Sequence, residues 1–125
     1  MDKQICIDTD VAIAILNNEE RAQKVIDKIE NMDIFISAIN LFELLLRETN
    51  LEQIEIFRNK VNLLEFDEAS ARKASLIHKE LKNKGELIDF KDLFIAATCI
   101  VNNYDLMTFN KKHFERLEKF GLVLV

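Results

Sequence analysis

Acidic residues stand at the points where this chain changes from apolar strand to helix. The segments that carry them are ICIDTDVAIAIL (Asp8, Asp10), FISAINLFELLL (Glu43) and DFKDLFIAA (Asp92). Each acid lies beside a hydrophobic run that must be buried, and a buried carboxylate is costly to desolvate unless it has a partner. Because we expect no buried Lys or Arg to match these acids, the sequence predicts a divalent cation as the missing partner.

Hydrolysis of a phosphodiester is the chemistry that such a carboxylate cluster could carry out. It needs a water that is nucleophilic near neutral pH and stabilisation of the charge on the leaving oxygen, and one or two Mg²⁺ or Mn²⁺ ions supply both. These ions prefer oxygen ligands, and Mg²⁺ keeps several waters, so three or four acids suffice without His or Cys. We predict that Asp8 and Asp92 bind the metal directly and that Glu43 either binds it or orients a bound water.

The elements that must position these acids follow from the pattern of apolar runs. Strands are predicted at 4–8, 33–36, 61–66, 105–108 and 122–125. Helices are predicted at 9–16, 19–30, in SAINLFELLLRE after the cap Ser37, at 51–60, from the cap Asp67 to about 84, at 90–103 after the cap Asp89, and near 111–119. The strands are apolar throughout rather than at every second residue, which indicates a parallel sheet covered on both faces. The predicted fold is α/β, a three-layer α/β/α sandwich with a parallel five-stranded sheet.

The same topology brings the polar residues to one edge of the sheet. Asp8 ends the first strand, Glu43 lies about two turns into the helix after the second, and Asp92 lies in the first turn of its helix. Thr108 and Asn110 end the strand that follows. Ligands of parallel sheets bind beyond the carboxyl ends of the strands, so we expect these residues to converge there.

Length and composition limit the class of protein. The chain of 125 residues suffices for one domain with its own core, and we expect 1–125 to form a single domain. Apolar residues make up 49% and charged residues 31% of the chain, as in soluble globular proteins. No apolar run reaches the roughly 18–20 residues of a membrane span, and Cys6 and Cys99 lack CxxC spacing. We therefore expect a cytoplasmic protein with no membrane association and with buried, reduced cysteines.

Four segments in this order resemble a known family over the whole length of the chain. They are an opening DT pair (Asp8, Thr9), SAINLFELL (Glu43), a G-x-x-I-x-x-x-D-h-h-I-A-A run in which h is apolar (Asp92), and a closing T-x-N-x-x-H-F (Thr108, Asn110, Phe114). Some of these segments are common alone, whereas all four at this spacing are a specific signal. The chain resembles PIN domains, and most closely the VapC-type ribonuclease toxins of prokaryotic toxin–antitoxin pairs.

The resemblance implies a metal-dependent endoribonuclease with an RNA substrate, usually a homodimer and neutralised by a small antitoxin protein. In such a site Thr9 and Thr108 would hold a carboxylate or a phosphate oxygen by hydrogen bonds. Many relatives carry an acid near Asn110, and the amide here implies that a second metal binds weakly or only with substrate. Asp10 stands where relatives often have Ser, so it is either a supporting residue or only a first-turn acid.

The three proposed ligands also have plain structural interpretations. Asp8 could only cap the helix that follows a strand, Glu43 could lie on a solvated helix face, and Asp92 could only favour the dipole at a helix N-terminus. The last role is already available to Asp89, and apolar residues surround Glu43 in sequence. Metal binding therefore stays the hypothesis for all three acids.

Lys111, Lys112 and His113 form a small positive cluster beside the predicted site. An exposed charge run is usually solubilising, and a contact with substrate phosphate is the functional alternative. The net charge of −5 argues against binding nucleic acid through overall electrostatics but is compatible with a local basic patch.

Two other functions fit parts of the sequence. The opening DTDVAI also resembles the nucleophile loop of haloacid-dehalogenase-like phosphatases, in which the first Asp attacks phosphorus and the second acts as acid or base. That class requires a further acidic pair after a strand, whereas Asp89 and Asp92 open a predicted helix. The other alternative is a PIN-like fold that serves only as an interaction module, and the presence of all three acids argues against it.

A surface for the antitoxin is expected on the helices predicted at 19–30 and 51–60. They carry apolar residues that a domain of this size need not cover: Val25, Ile26, Ile54 and Phe57. An exposed apolar stripe of this kind suits an amphipathic helix laid in a groove. We therefore expect a small antitoxin to dock there.

Overall fold

Strands and helices alternate along residues 3–125, the part of the chain that the computed structural model describes. The strands are β1 (Gln4–Ile7), β2 (Asp33–Ser37), β3 (Asn62–Leu64) and β4 (Asp105–Met107). The α-helices are α1 (Thr9–Leu16), α2 (Glu20–Ile29), α3 (Ala38–Leu45), α4 (Leu51–Lys60), α5 (Glu68–Asn83), α6 (Phe90–Asn102) and α7 (Lys111–Phe114). A 3₁₀ helix, Glu115–Phe120, follows α7. The predicted alternation is confirmed, although β3 is shorter than expected and the last predicted helix is divided in two.

The described strands form one parallel sheet in the order β3-β2-β1-β4. Strand β1 is central, and its Ile5 lies opposite Ile34 of β2 and Asp105 of β4. Strand β2 continues the sheet to β3, with Ser37 opposite Leu64. Because all of these strands point the same way, the residues that follow β1, β2 and β4 lie at one edge, as the sequence predicts.

The predicted fifth strand at 122–125 is wrong. This segment contributes a single bridge, between Leu124 and Leu106 of β4. Leu106 N donates to Val123 O at 2.9 Å and Leu106 O accepts from Val125 N at 3.0 Å. Strand β4 is only three residues long. Neighbouring residues of a strand direct their backbone groups to opposite sides. Only Leu106 therefore directs its N–H and C=O away from β1, towards residues 123–125. The sheet within residues 3–125 therefore has four strands.

Helices cover both faces of this sheet, and the side chains of β1 alternate between them. Cys6 lies in a core formed with α5, α6 and the fully buried Phe114. Ile5 and Ile7 lie in a second core, with residues of α1, α2 and α4. The predicted arrangement of helices on both sides of a parallel sheet is thus confirmed. Cys6 and Cys99 are buried free thiols, also as predicted.

Side-chain caps set where the helices near the site begin. Ser37 forms a capping box with Asn40 at the start of α3. Asp67 caps α5 and Asp89 caps α6, each by accepting a backbone hydrogen bond. All three caps match the sequence prediction. They determine on which turn of α3 and α6 each acidic residue lies.

The outward faces of the helices carry scattered apolar residues. No helix within residues 3–125 is long and apolar enough to cross a membrane. The expected apolar stripe on α2 and α4 is wrong at two positions, since Val25 is 5% and Ile54 1% exposed. Both pack into the core that contains Ile7. Ile26 and Phe57 are half-buried, so less of this surface is free than the sequence suggested.

Candidate active site

Asp8 lies between the end of β1 and the start of α1. Its Oδ1 accepts a hydrogen bond from Thr9 N at 2.8 Å, which caps α1, and one from Asn40 Nδ2 at 3.3 Å. Its Oδ2 accepts from Thr108 Oγ1 at 2.7 Å. Asp8 is 7% exposed. Burial raises its pKa and outweighs the lowering by Thr108, while the charge of Asp10 adds to the rise. These three donors are neutral, so they leave the charge of the carboxylate uncancelled.

Asn40 organises these contacts, and sequence reasoning missed it. It is fully buried on α3. Its amide oxygen accepts from Ser37 N at 2.9 Å and from Ser37 Oγ at 2.7 Å. This directs its Nδ2 towards Asp8 and towards Thr9 Oγ1, which it reaches at 3.0 Å. The sequence held a signal, because Asn40 completes the capping box of Ser37 and lies one turn before Glu43 on the same helix face.

Glu43 faces the cleft from α3 and has two partners. Thr9 Oγ1 accepts a hydrogen bond from Asn40 and donates one to Glu43 Oε1 at 2.8 Å. Lys91 Nζ lies 4.0 Å from Glu43 Oε2, with the lysine side chain about half exposed. An exposed pair at this distance contributes well under about 1 kcal/mol. Thr9 therefore fixes the position of the carboxylate more than Lys91 does.

Asp92 lies in the first turn of α6, and its pKa is raised to about 6. Burial is the largest cause, followed by the charge of Asp8, with smaller contributions from Asp89 and Glu43. His113 opposes the rise, and its Nδ1 lies 3.6 Å from Asp92 Oδ2. Burial and the charges of the neighbouring carboxylates therefore both disfavour the ionised form of Asp92, and His113 offsets them only in part.

Asp10 supports the loop that follows β4. Its Oδ2 accepts a hydrogen bond from Phe109 N at 3.1 Å, and in the same loop Asn110 N donates to Thr108 Oγ1 at 3.0 Å. Asp10 Oδ1 is buried and has no hydrogen-bond partner among residues 3–125. Burial raises the pKa of Asp10, while the charge of Arg21 acts in the opposite direction. The loop that presents Thr108 to Asp8 is thereby tied to α1.

The structure brings the residues expected from the sequence together. One open cleft of about 330 Å³ at the carboxyl edge of the sheet is lined by Asp8, Thr9, Asp10, Glu43, Asp92 and Asn110. Thr108 is 3% exposed and reaches the site through its hydrogen bond to Asp8. Lys91, to which the sequence did not point, lines the same cleft, as does His113 of the predicted positive cluster.

The donor set of the cleft fits a hard divalent cation. Among residues 3–125, no group of three or more His, Cys, Asp or Glu side chains already converges on one ion-sized position. Mg²⁺ is usually held by one or two carboxylates and keeps several waters, so it needs open oxygen donors rather than a closed cage. The like charges of Asp8 and Glu43 near Asp92 and the unpartnered oxygen of Asp10 both agree with such an ion.

Comparison with known proteins gives matches over nearly the whole chain. A sequence profile for the PIN domain matches residues 5–119. Ribonuclease VapC1 of Methanocaldococcus jannaschii is 38% identical over 125 residues, which cover 97% of this chain and 86% of the relative. Ribonuclease VapC19 of Mycobacterium tuberculosis is 35% identical over 112 residues, covering 86% and 90%. The DNA-bound VapBC structure from Salmonella typhimurium has 27% identity and a TM-score of 0.85, covering 100% of this chain and 98% of that one.

Proposed function

Since the chain belongs to the PIN-domain family, we propose that it is an endoribonuclease, a hydrolase that cuts RNA phosphodiester bonds. The observation that carries the proposal is the buried Asp8, which is held by a hydroxyl, a side-chain amide and a backbone N–H, all neutral. Such donors favour the ionised carboxylate without cancelling its charge, which stays available for a ligand. The relatives support the reaction, since VapC1 and VapC19 are both named ribonucleases. In this proposal residues 1–125 act as one nuclease domain.

Asp8 and Asp92 are the proposed direct ligands of a divalent cation, Mg²⁺ or Mn²⁺, and Glu43 is a third ligand or orients a bound water. When bound, such an ion makes a water nucleophilic near neutral pH and stabilises the charge that develops on the leaving oxygen. Asn110 lines the cleft with an amide instead of a carboxylate. We therefore propose that any second ion binds weakly or only together with RNA.

The neutral side chains around the acids fix the orientation of the carboxylates. Thr108 and Asn40 each bind one oxygen of Asp8, and Thr9 binds one oxygen of Glu43. These contacts restrict both carboxylates before a ligand arrives, so less conformational freedom is lost on binding. Asn40 and the two threonines therefore act as positioning residues rather than as catalytic ones.

We further propose that the chain acts in the cytoplasm as a homodimeric toxin that is inhibited by a small antitoxin protein. Its relatives are named VapC, and the relative from Salmonella typhimurium is a DNA-bound VapBC. Helix α4 offers apolar surface for a docking partner, since Leu51 is 46% and Ile56 48% exposed. Side chains of this kind suit the apolar face of an amphipathic helix.

A cleavage assay tests the proposed reaction. Labelled single-stranded RNA is incubated with the wild type, Asp92→Asn and Asp27→Asn, each with Mn²⁺ and with EDTA. Asp27 is an exposed acid of α2 outside the cleft, so both variants make the same change in charge. We expect Mn²⁺-dependent cleavage by the wild type and by Asp27→Asn, and none by Asp92→Asn. Cleavage in EDTA, or cleavage by Asp92→Asn, would contradict the mechanism.

Of the two alternative functions, the structure and the family match argue against the phosphatase, and the cleavage assay tests the interaction module. The phosphatase alternative loses its basis because Asp89 and Asp92 lie at the start of α6 and not after a strand, and because the PIN profile covers residues 5–119. Absence of RNA cleavage by the wild type with Mn²⁺ would favour an interaction module without activity.

A further inference from the structure

Two further depressions share walls with the acidic cleft. The larger, of about 550 Å³, is lined by residues 108–113 and Glu115. The smaller, of about 260 Å³, is lined by residues 87–89, Asp92, Lys112, His113 and Arg116. Lys112 lines both depressions, and His113 lines both of them and the cleft. The three spaces therefore form one concave surface that meets at His113.

Three Lys or Arg side chains line the two depressions, beside the acids Asp89, Asp92 and Glu115. We refer to Lys111, Lys112 and Arg116, together with His113, as the basic rim. The segment 111–120 carries four Lys or Arg against two Glu, in a chain with a net charge of −5. Lys111 and Lys112 are exposed and form no ion pair with any residue in 3–125. Solubility does not explain these two lysines. Added positive charge brings the net charge of an acidic chain closer to zero, and a net charge near zero favours association over solubility.

The basic rim is anchored to the fold. Phe114, which follows His113, is fully buried in the core formed with α5 and α6. Arg116 Nη1 donates a hydrogen bond to the carbonyl oxygen of Glu86 at 2.7 Å, which ties the 3₁₀ helix to the loop before α6. The two lysines are therefore presented beside the acids from a segment that is held on both sides.

We propose that the basic rim binds phosphates of a single-stranded RNA next to the phosphodiester that lies at the acids. This inference rests on the proposed function, because it assigns the path of that substrate. The acids and the RNA backbone carry charge of the same sign, so the cleft by itself repels the strand that it cuts. The Lys and Arg side chains of the adjoining depressions offset this repulsion by binding neighbouring phosphates. They position the strand without entering the reacting centre.

Apolar surface next to the basic rim favours unpaired RNA over a duplex. Phe109 lines the larger depression, and the guanidinium of Arg21 covers one face of its ring at 4.1 Å from the centroid. Leu87 lines the smaller depression and is 51% exposed. Unpaired bases can stack on or contact such side chains, whereas the bases of an A-form helix are stacked on one another.

Binding of a labelled RNA over a range of salt concentrations tests the inference. The probe is a single-stranded RNA of roughly twelve nucleotides, and fluorescence anisotropy is measured in EDTA so that metal-dependent cleavage does not interfere. The double variant Lys111→Gln/Lys112→Gln is compared with Lys28→Gln/Lys60→Gln. Lys28 and Lys60 are exposed and precede β2 and β3, so they lie towards the opposite edge of the sheet and make the same change in net charge.

Each phosphate contact contributes about 0.7 to the slope of log K against log salt for a single strand. We expect Lys111→Gln/Lys112→Gln to reduce the slope by about 1.4 and to weaken binding roughly tenfold near 0.1 M salt, with the control pair close to the wild type. Equal losses in both double variants would show an effect of net charge alone and overturn the assignment. Labelled poly-glutamate that bound as tightly as RNA, with the same dependence on Lys111 and Lys112, would also overturn it in favour of an acidic protein segment.

Failure of this inference can be distinguished from failure of the proposed function. Mn²⁺-dependent cleavage by the wild type, together with unchanged RNA binding by Lys111→Gln/Lys112→Gln, would overturn the basic rim alone. The opposite result is absence of cleavage together with RNA binding that depends on these two lysines and not on the control pair. It would support RNA binding by the basic rim and contradict the proposed endoribonuclease activity.

Discussion

Two aspartates of this chain occupy the same structural position and have opposite electrostatic properties. Asp8 caps α1 through Thr9 N, and Asp67 caps α5 through Ser70 N. The pKa of the exposed Asp67 is lowered, mainly by the hydrogen bond from Ser70 N and also by that from Ser70 Oγ. The pKa of Asp8 is raised, because burial outweighs its hydrogen bonds.

Capping therefore does not explain why Asp8 is buried. An exposed aspartate caps a helix as well, as Asp67 does, and without the cost of desolvating a carboxylate. The burial of the Asp8 carboxylate beside Glu43 and Asp92 is instead what a ligand-binding site requires, since a cation can bind to such a group of acids. The contrast separates an acid that serves the fold from the acids of the proposed site.

Between the two helix caps, the largest expected difference is in RNA cleavage by Asp8→Asn. The substitution keeps the shape and removes the charge, so we expect the rate with Mn²⁺ to fall by on the order of a thousandfold, about 4 kcal/mol of transition-state stabilisation. Asp67→Asn makes the same chemical change at the other cap and should cleave at the wild-type rate. Initial rates on one RNA measure both. Similar rates for the two variants would show that Asp8 is only a cap.

Asn40→Asp should have the largest effect on stability. It removes both amide donors from Asp8 and Thr9 and places a second carboxyl group in a fully buried position beside Asp8. We expect a loss of about 3 kcal/mol in the free energy of unfolding, measured by urea titration. Asn59→Asp, on the exposed face of α4, is the matched control and should change little. A stable Asn40→Asp protein would show that the hydrogen bonds around Asp8 do not depend on Asn40.

Stabilisation by Mn²⁺ should distinguish the acids in thermal melts. A ligand at a hundred times its dissociation constant stabilises the folded state by about 2.7 kcal/mol. We expect this shift for the wild type and for Asp67→Asn, and a much smaller one for Asp92→Asn, which lacks a proposed ligand. The same shift in all three proteins would remove Asp92 from the metal site.

The positions of the acids could be predicted because strand ends and helix starts are local features. The run ICI predicts a buried strand, and the acids that follow such runs must lie at the edge where parallel strands end. The capping box could have pointed to Asn40, but its contacts at the site could not be predicted in this way, because Asp8 and Thr9 each lie about thirty positions from it in the chain. Only the packing of α3 against α1 brings them together.

The errors in the fold have the same origin. The segment 122–125 is apolar, but whether it forms a strand depends on the length of β4 beside it. Val25 and Ile54 belong to helices with a polar face, but whether their side chains stay free depends on how closely α2 and α4 pack on the sheet. Residue patterns predict which elements form better than they predict how completely neighbouring elements cover them.

A smaller effect is expected in the dependence of stability on pH. The pKa of Asp92 is about 6 in the folded protein and about 4 in the unfolded chain. Between these values the folded state keeps a proton that the unfolded state loses, so rising pH destabilises the metal-free protein. The full shift corresponds to roughly 3 kcal/mol, which solvent screening of this partly exposed side chain reduces to about 1 kcal/mol. Asp92→Asn should therefore gain about 1 kcal/mol over the wild type at pH near 7 and nothing near 4, measured by urea titration in EDTA.

The smallest effect is expected at Asp67, with the opposite sign. Its folded pKa lies below its unfolded value, so its contribution to stability is present above the unfolded pKa and is lost as the pH falls through the folded pKa. The wild type should therefore lose more stability than Asp67→Asn as the pH is lowered from about 5 to about 3. Urea midpoints at several pH values measure both variants. With rising pH, the stability of the wild type should increase relative to Asp67→Asn and decrease relative to Asp92→Asn. Changes of the same sign at both positions would show that burial does not separate the acids of the cleft from an ordinary helix cap.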